Sequence, residues 1–238
     1  MYKYTDYLEQ HDRIMQFNKN KEVSVHRWYP FVEGYSKEFI NSVVDEQGYD
    51  VKLCLEPFSG SGTTALELSR RSVSCISFEV NPFMFVLSKA KLKVNQYKIR
   101  TIRNHVSVMT DFLANLDDSE IDLKSEFPTL VESQDKKKWN LDKEVFIALE
   151  KLKLAIDSLN TKLYKELYII CLSKILLDYS NLYRNGKCLS YKKNWQEKRY
   201  SQEDVINSFF RFIKEIIVDD IKEQPSNTFS NNPLLYRG

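Results

Sequence analysis

Between Val51 and Leu87, two short apolar runs flank a turn that contains two glycines. The first run ends at Glu56, the turn leads into a helical pattern, and the second run ends at another acid, Glu79. Strand, glycine turn, helix, strand and acid form the plan of a nucleotide-binding βαβ unit. We therefore predict an α/β fold with a partial Rossmann-like parallel sheet.

The turn has specific backbone chemistry. Gly60 and Gly62 lack a Cβ atom, so the backbone can take positive φ and a ligand can approach closely. The helix that begins at Thr63 or Thr64 presents unpaired N–H groups and the positive end of its dipole. Glu79, nineteen residues after Gly60, is placed to accept hydrogen bonds from ribose hydroxyls. The missing third glycine argues against a standard NAD fingerprint, and the absence of Gly-Lys-Ser/Thr excludes a phosphate loop.

The segment Glu56–Thr64 reads EPFSGSGTT and closely resembles the Asp-Pro-Phe-x-Gly-Ser-Gly-Thr-Thr motif of amino-methylating DNA methyltransferases. Glu79–Pro82 resembles the ribose-binding motif of that family. The resemblance implies S-adenosylmethionine as cofactor, with the turn around its methionine and adenosine parts. It also implies that Glu56, where the family more often has Asp, meets the cofactor ammonium. The cofactor residues predicted in this way are Glu56, Pro57, Phe58, Ser59, Gly60, Ser61, Gly62, Thr63, Thr64, Glu79, Val80, Asn81 and Pro82.

An aromatic-rich segment, His26–Ser36, precedes the first strand. In the resembling family a motif before the glycine turn packs over the methionine end of the cofactor, so Trp28 and Tyr29 are candidates for that contact. The alternative is an aromatic cluster that closes the core under the sheet edge. Ser36 and the residues after it predict a capped amphipathic helix. His26 receives no catalytic role, because no Ser, Cys or acid is recognisably paired with it.

The composition of the chain further limits the functions that it can have. The chain has 238 residues, 29% of them charged, and a net charge of only +2, so a local basic segment must carry any nucleic-acid function. The four cysteines form no C-x-x-C pair, which argues against a metal site and favours buried thiols in a reducing cytosol. No signal peptide, lipidation motif or long apolar run is evident. We expect a cytoplasmic protein with no membrane partner.

Helical patterns dominate the second half of the chain. Apolar residues recur at three- and four-residue steps from Ile99 to Leu113, from Val145 to Ile156, from Leu163 to Leu177 and from Val205 to Val218. We therefore expect a cofactor-binding part at residues 1–98 and an appended, mostly helical subdomain at residues 99–238.

A basic loop from Tyr183 to Tyr200 holds six Lys or Arg residues against one acid, with four aromatics interleaved. Cations neutralise phosphates and aromatics stack on bases, so this loop is the candidate DNA contact. A solvated surface loop is the alternative. The candidate DNA-binding residues are Arg184, Lys187, Tyr191, Lys192, Lys193, Trp195, Lys198 and Arg199.

Amino-methylating enzymes also carry a polar residue followed by Pro-Pro and an aromatic, and these 238 residues contain no Pro-Pro. One interpretation is that Asn232–Tyr236 is a degenerate form of that motif; the other is that Leu234–Gly238 resembles the start of the strand that precedes the motif in the family. The second interpretation predicts that the chain is one part of a split enzyme from a restriction–modification system, completed by a second polypeptide. An RNA methyltransferase and a non-catalytic DNA-binding relative stay open as alternatives.

Overall fold

The structure is a computed structural model that describes residues 14–47, 51–124, 127–186, 188–224 and 233–238. The chain divides into two compact units, the first with Met1–Gln96 and Asp220–Gly238 and the second with Tyr97–Asp219. The break after Gln96 lies close to the expected division at residue 98. Asp220–Gly238 differs from the expectation, because these residues group with the first unit, in which the last strand joins the sheet.

The first unit contains a three-stranded sheet of Leu53–Glu56 (β1), Ser74–Glu79 (β2) and Leu234–Arg237 (β5). The spatial order is β1-β2-β5, and both pairings are parallel. Cys54 lies opposite Cys75, and Phe78 lies opposite Tyr236. This sheet, with its covering helices, confirms the predicted α/β fold with a partial Rossmann-like sheet.

Three helices of the first unit are Lys37–Gln47 (α1), Thr63–Arg70 (α2) and Pro82–Leu92 (α3). The Ser36 hydroxyl accepts the Phe39 N–H at 3.2 Å, so the predicted cap of α1 is confirmed. Asn81 caps α3 by accepting the Phe83 N–H at 2.9 Å, and Pro82 takes the first turn, as predicted. Short 3₁₀ turns lie at Phe17–Glu22, His26–Trp28 and Val94–Gln96.

The two faces of the sheet differ sharply. On one face, Cys75 packs against Ala65 and Leu68 of α2 in a buried core. The other face carries large apolar side chains that stay exposed, and we call it the open face. Its exposed members are Leu53 (62% exposed), Leu55 (64%), Phe78 (38%), Leu234 (48%) and Tyr236 (48%).

The second unit is mostly helical, with one antiparallel hairpin made of Leu182–Asn185 (β3) and Cys188–Tyr191 (β4). A 3₁₀ turn lies at Asp118–Glu120, and a π-helical turn at Ile213–Ile217 precedes the last helix. The helices are Ile99–Ala114 (α4), Lys143–Asp157 (α5), Lys162–Tyr179 (α6), Gln202–Phe212 (α7) and Val218–Glu223 (α8).

Helix α6 buries the centre of its predicted apolar stripe, Leu167, Ile170 and Cys171, together with two tyrosines that the aliphatic spacing does not include. Tyr164 and Tyr168 are buried, whereas Leu163 and Lys174 are only half-buried. The two tyrosines meet His105 of α4 edge-on, with ring centroids 4.9 and 5.9 Å away. These aromatic contacts add to the aliphatic packing of α6. No helix in the described part of the chain is long and apolar enough to span a membrane.

Candidate cofactor and nucleic-acid sites

The glycine turn between β1 and α2 has the backbone conformation that the sequence predicts. Gly60 has φ of +51° and Gly62 has φ of +79°, both in the left-handed region. A Cβ atom on Gly60 would lie 2.9 Å from the Phe31 ring, and one on Gly62 would lie 3.0 Å from the Ser88 side chain. Glycine is therefore required at both positions by conformation and by space.

Glu79 joins the end of β2 to this turn. Its carboxylate accepts the Gly60 N–H at 2.6 Å and the Asn81 N–H at 2.8 Å. A carboxylate offers about four acceptor positions, so further positions remain beside the two that are occupied. Parallel pairing of β1 and β2 thus brings the turn and the acid together at the carboxyl edge of the sheet.

Glu56 ends β1 and is tied closely to the same turn. Its carboxylate accepts the Phe58 N–H at 2.9 Å, the Thr64 hydroxyl at 2.7 Å and the Tyr35 hydroxyl at 2.9 Å. Burial, with the nearby Glu56 charge adding to it, raises the pKa of the Tyr35 phenol, so Tyr35 stays protonated and donates. Glu56 therefore shapes the turn and adds a negative charge beside it.

Several donors of the turn have no acceptor among the residues that the structure describes. Gly62 precedes α2 without a side-chain cap, so the first N–H groups of the helix lack a capping oxygen. The Ser59 hydroxyl is buried without a hydrogen-bond partner, and within the described residues the Ser61 N–H has none either. These orphaned polar groups fit a cofactor that carries carboxylate and hydroxyl oxygens.

Two apolar side chains stand exposed beside the turn. Phe58 is 85% exposed and Val80 is 75% exposed, whereas Ser59 and Ser61 are buried. Pro57, Asn81 and Pro82 are also exposed. The predicted cofactor residues of both motifs thus surround one edge of the sheet, with an apolar rim and a polar floor.

The two candidates from the aromatic segment are placed differently. Trp28 is fully buried, and its indole N–H donates to the Asp220 carboxylate at 2.8 Å. It exposes no surface to a ligand, which favours the alternative of a core-closing cluster. Tyr29 is half-buried and meets Phe83 edge-on, with ring centroids 4.8 Å apart.

His26 is a core residue. Its Nε2 atom lies 2.8 Å from Glu67 Oε1, and burial lowers the pKa of His26 to about 4. The ring is therefore neutral near pH 7, with Nε2–H donating to Glu67 and a buried Nδ1 that has no partner. The structure therefore pairs His26 with an acid, Glu67, which the sequence did not reveal.

The cations of the basic loop form two groups: those that bind other residues of the same unit, and those that are available to a ligand. The Lys192 ammonium donates to the Asp178 and Ser180 carbonyls at 2.7 and 2.6 Å, where it caps the end of α6. Arg199 pairs with Glu132 at 2.8 Å and with the buried Asp142 at 2.9 Å. Both cations are thus engaged within the unit.

The remaining members of the predicted DNA set vary in exposure. Tyr191 and Trp195 are half-buried and pack on each other at 5.2 Å. Lys198 lies over the Tyr200 ring at 5.1 Å. Arg184 and Lys193 are exposed and have no partner among the described residues, and Lys187 lies outside those residues. Among the described residues, the basic loop therefore offers Arg184 and Lys193 as available charges.

Sequence reasoning missed three residues that hold the glycine turn. Tyr35 bonds to Glu56, while Ser88 and Lys91 of α3 donate to turn carbonyls. Ser88 and Lys91 are three residues apart on α3, a spacing that places them on one helix face. A lysine in a helical pattern gave no signal that it is buried.

Comparison with known proteins found two relevant relatives. The Type II methyltransferase M.BsoBI of Geobacillus stearothermophilus is 26% identical over 91 residues, which cover 38% of this chain and 18% of that protein. The Type II methyltransferase M.MjaII of Methanocaldococcus jannaschii is 26% identical over 159 residues, which cover 63% of this chain and 28% of that protein. The chain is similar to Type II methyltransferases.

The matched part spans less than a third of the length of these curated relatives. No protein-family model matches the chain. No solved structure matches it either.

Proposed function

We propose that this chain is the S-adenosylmethionine-binding part of a DNA methyltransferase that modifies adenine N6 or cytosine N4 in a restriction–modification system. The contact between Glu79 and Gly60 carries the proposal, because it unites the acid, the glycine turn and the start of α2. These groups meet at the carboxyl edge of a parallel sheet, where α/β proteins bind nucleotide-like ligands. Similarity to Type II methyltransferases supports a methyl donor as that ligand.

S-adenosylmethionine supplies an electrophilic methyl group on a sulfonium. The orphaned donors of Ser59 and Ser61 would bind oxygens of the cofactor, and the free acceptor positions of Glu79 would take ribose hydroxyls. The negative charge of Glu56 would attract the ammonium group. Phe58 would give the adenosine part an apolar surface, since most of its ring is exposed.

Calorimetric titration with S-adenosylmethionine, with and without DNA, tests the cofactor assignment. We expect saturable binding, and its absence under every condition would favour a non-catalytic DNA-binding relative. Transfer of a labelled methyl group to DNA or to RNA distinguishes the DNA enzyme from an RNA methyltransferase.

We propose further that a second polypeptide supplies the Pro-Pro-aromatic catalytic motif, which these 238 residues lack. In such enzymes the polar residue of that motif accepts the target amino group, and the aromatic stacks on a base that has been flipped out of the duplex. The glycine turn described here would then hold the methyl donor for chemistry completed by the partner.

The open face is the surface on which we place this partner. Parallel sheets occur almost only in α/β proteins whose two faces are both covered, yet here one face leaves Leu53, Leu55 and Tyr236 about half exposed or more. Phe78 and Tyr236 stack there with centroids 5.4 Å apart, which gives a contiguous apolar patch. A partner with α/β segments would cover it with apolar helix faces.

Leu55→Glu tests the open face. Because the side chain is already 64% exposed, we expect the free energy of unfolding to change by less than about 0.5 kcal/mol. Association with the motif-bearing polypeptide should weaken by at least tenfold in a pull-down titration, and methyl transfer by the mixture should fall. Leu176→Glu, at a 41% exposed leucine of α6, is the matched control. Robust methyl transfer by the purified 238-residue chain alone would contradict the partner model.

Arg184→Ala tests the DNA surface. Arg184 is exposed on β3, so its loss should weaken DNA binding and reduce the slope of log affinity against log salt by about one unit. Lys162→Ala, at an exposed lysine of α6, controls for the loss of one positive charge elsewhere in the unit. Fluorescence anisotropy with a labelled duplex at several salt concentrations measures both; equal slopes for the two variants would count against the hairpin.

A further inference from the structure

Two consecutive carbonyls of the glycine turn are held by side chains from one face of α3. The Ser88 hydroxyl donates to the Gly60 carbonyl at 2.7 Å. The Lys91 ammonium donates to the Ser61 carbonyl at 3.1 Å. Both side chains are fully buried, so these bonds are made away from water.

Burying the Lys91 side chain beside the turn carries a desolvation penalty. Its buried amino group donates to the Ser61 carbonyl and lies 5.9 Å from the centroid of the Phe17 ring. Burial lowers the pKa of Lys91 to about 7, and the nearby His26 is neutral. An apolar side chain of similar length would fill the same space without this desolvation penalty. The hydrogen bond to the turn is the feature that an apolar side chain cannot replace.

The direction of the two carbonyls determines where the turn donors point. In a trans peptide the C=O and the following N–H point in opposite directions. Because the Gly60 carbonyl faces Ser88, the Ser61 N–H faces away from α3. The Gly62 N–H is directed away from Lys91 in the same way and donates to the Ser59 carbonyl at 2.8 Å.

We propose that Lys91 and Ser88 are positioning residues that fix the two peptide planes of the turn, so that the unpaired Ser61 N–H is presented to the cofactor. The proposal rests on the cofactor function proposed above. Lys91 acts from the core side and does not touch the ligand.

Lys91→Met separates this role from a purely structural one. We expect the variant to be at least as resistant to denaturant as the wild type, since a buried ammonium is removed. We also expect amide hydrogen exchange in residues 59–62 of the free chain to become about fivefold faster or more, and cofactor affinity to fall about tenfold, because a buried hydrogen bond to the turn is lost. Lys93→Met, at a half-buried lysine that follows α3, is the matched control and should change none of these.

Unchanged exchange in residues 59–62 of Lys91→Met would overturn the proposal, as would a uniform rise in exchange throughout the first unit. If Lys91→Met does not fold, Ser88→Ala provides the second test, with the same local increase expected around Gly60. We call the two bonds from Ser88 and Lys91 to the turn carbonyls the clamp. A wild-type chain that binds no cofactor would refute the cofactor function alone, because amide exchange in the free chain still decides whether the clamp holds the turn.

Discussion

Asp220→Ala is expected to lower the free energy of unfolding of the first unit by about 3–5 kcal/mol, because two buried donors lose their acceptor and a partly buried ion pair is broken. Asp220 is fully buried on α8 and accepts the Val25 N–H at 2.7 Å and the Trp28 indole N–H at 2.8 Å. It also accepts two bonds from the Arg27 guanidinium, at 2.9 and 2.5 Å. Alanine would leave these donors without their acceptor, and the penalty for unsatisfied buried groups adds to the lost charge pair.

The same variant should release backbone strain around Val25. Val25 has φ of +68°, an outlier for a β-branched residue, and its N–H is held by Asp220. Amide exchange in residues 24–29 should therefore rise more than elsewhere in the unit. Glu223→Ala, at an exposed acid of the same helix, controls for the loss of a carboxylate. The free energy of unfolding of Asp220→Asn should lie between those of Asp220→Ala and Glu223→Ala, because asparagine keeps an acceptor but loses the charge. An Asp220→Ala chain as stable as Glu223→Ala would show that this buried cluster does not anchor the segment.

The Asp220 cluster also shows why part of the fold could not be predicted. The strand–turn–helix–strand unit was predictable because its signals are local: glycines where φ is positive, an asparagine and a proline at the start of α3, and an acid ending β2. Trp28 and Asp220 are 192 residues apart in sequence, and no local pattern distinguishes a core tryptophan from one that lines a ligand. The pairing of β5 with β2 belongs to the same class of long-range contact.

The roles of several charged residues could not be predicted from the sequence either. Composition alone could not show that Lys192 caps a helix or that Arg199 pairs with Asp142, because a cation in a basic loop is compatible with a phosphate contact or an intramolecular partner. Lys91 is the extreme case, since lysine is rarely fully buried without a partner. The motif predicted which segment surrounds the candidate site, whereas the side chains that hold that segment in place became visible only in three dimensions.

Gly62→Ala is the variant with the largest expected effect on the candidate site, and Gly186→Ala is its matched control. Both glycines have positive φ, at +79° and +61°, so both alanines carry the penalty of about 1–2 kcal/mol for a side chain in the left-handed region. The added methyl group at Gly62 would lie 3.0 Å from the Ser88 side chain and 3.1 Å from its Cα atom. At Gly186, no atom of the described residues beyond the chain neighbours lies within 4 Å of the same group.

The difference in stability between the two variants therefore measures the effect of close packing apart from that of backbone conformation. Gly62→Ala should lose about 1–3 kcal/mol more stability than Gly186→Ala, the usual penalty for overpacking. Since Ser88 must shift to admit the methyl group, the bond to the Gly60 carbonyl is disturbed and cofactor affinity should fall at least about tenfold, equivalent to about 1.4 kcal/mol. Gly186→Ala, in the hairpin of the second unit, should bind cofactor as the wild type does. Denaturant unfolding followed by amide exchange in each unit, with calorimetric titration of the cofactor, measures both effects. Equal losses of stability in the two variants would mean that the turn has room to move away from α3, and the clamp by Ser88 and Lys91 would then be too weak to position it.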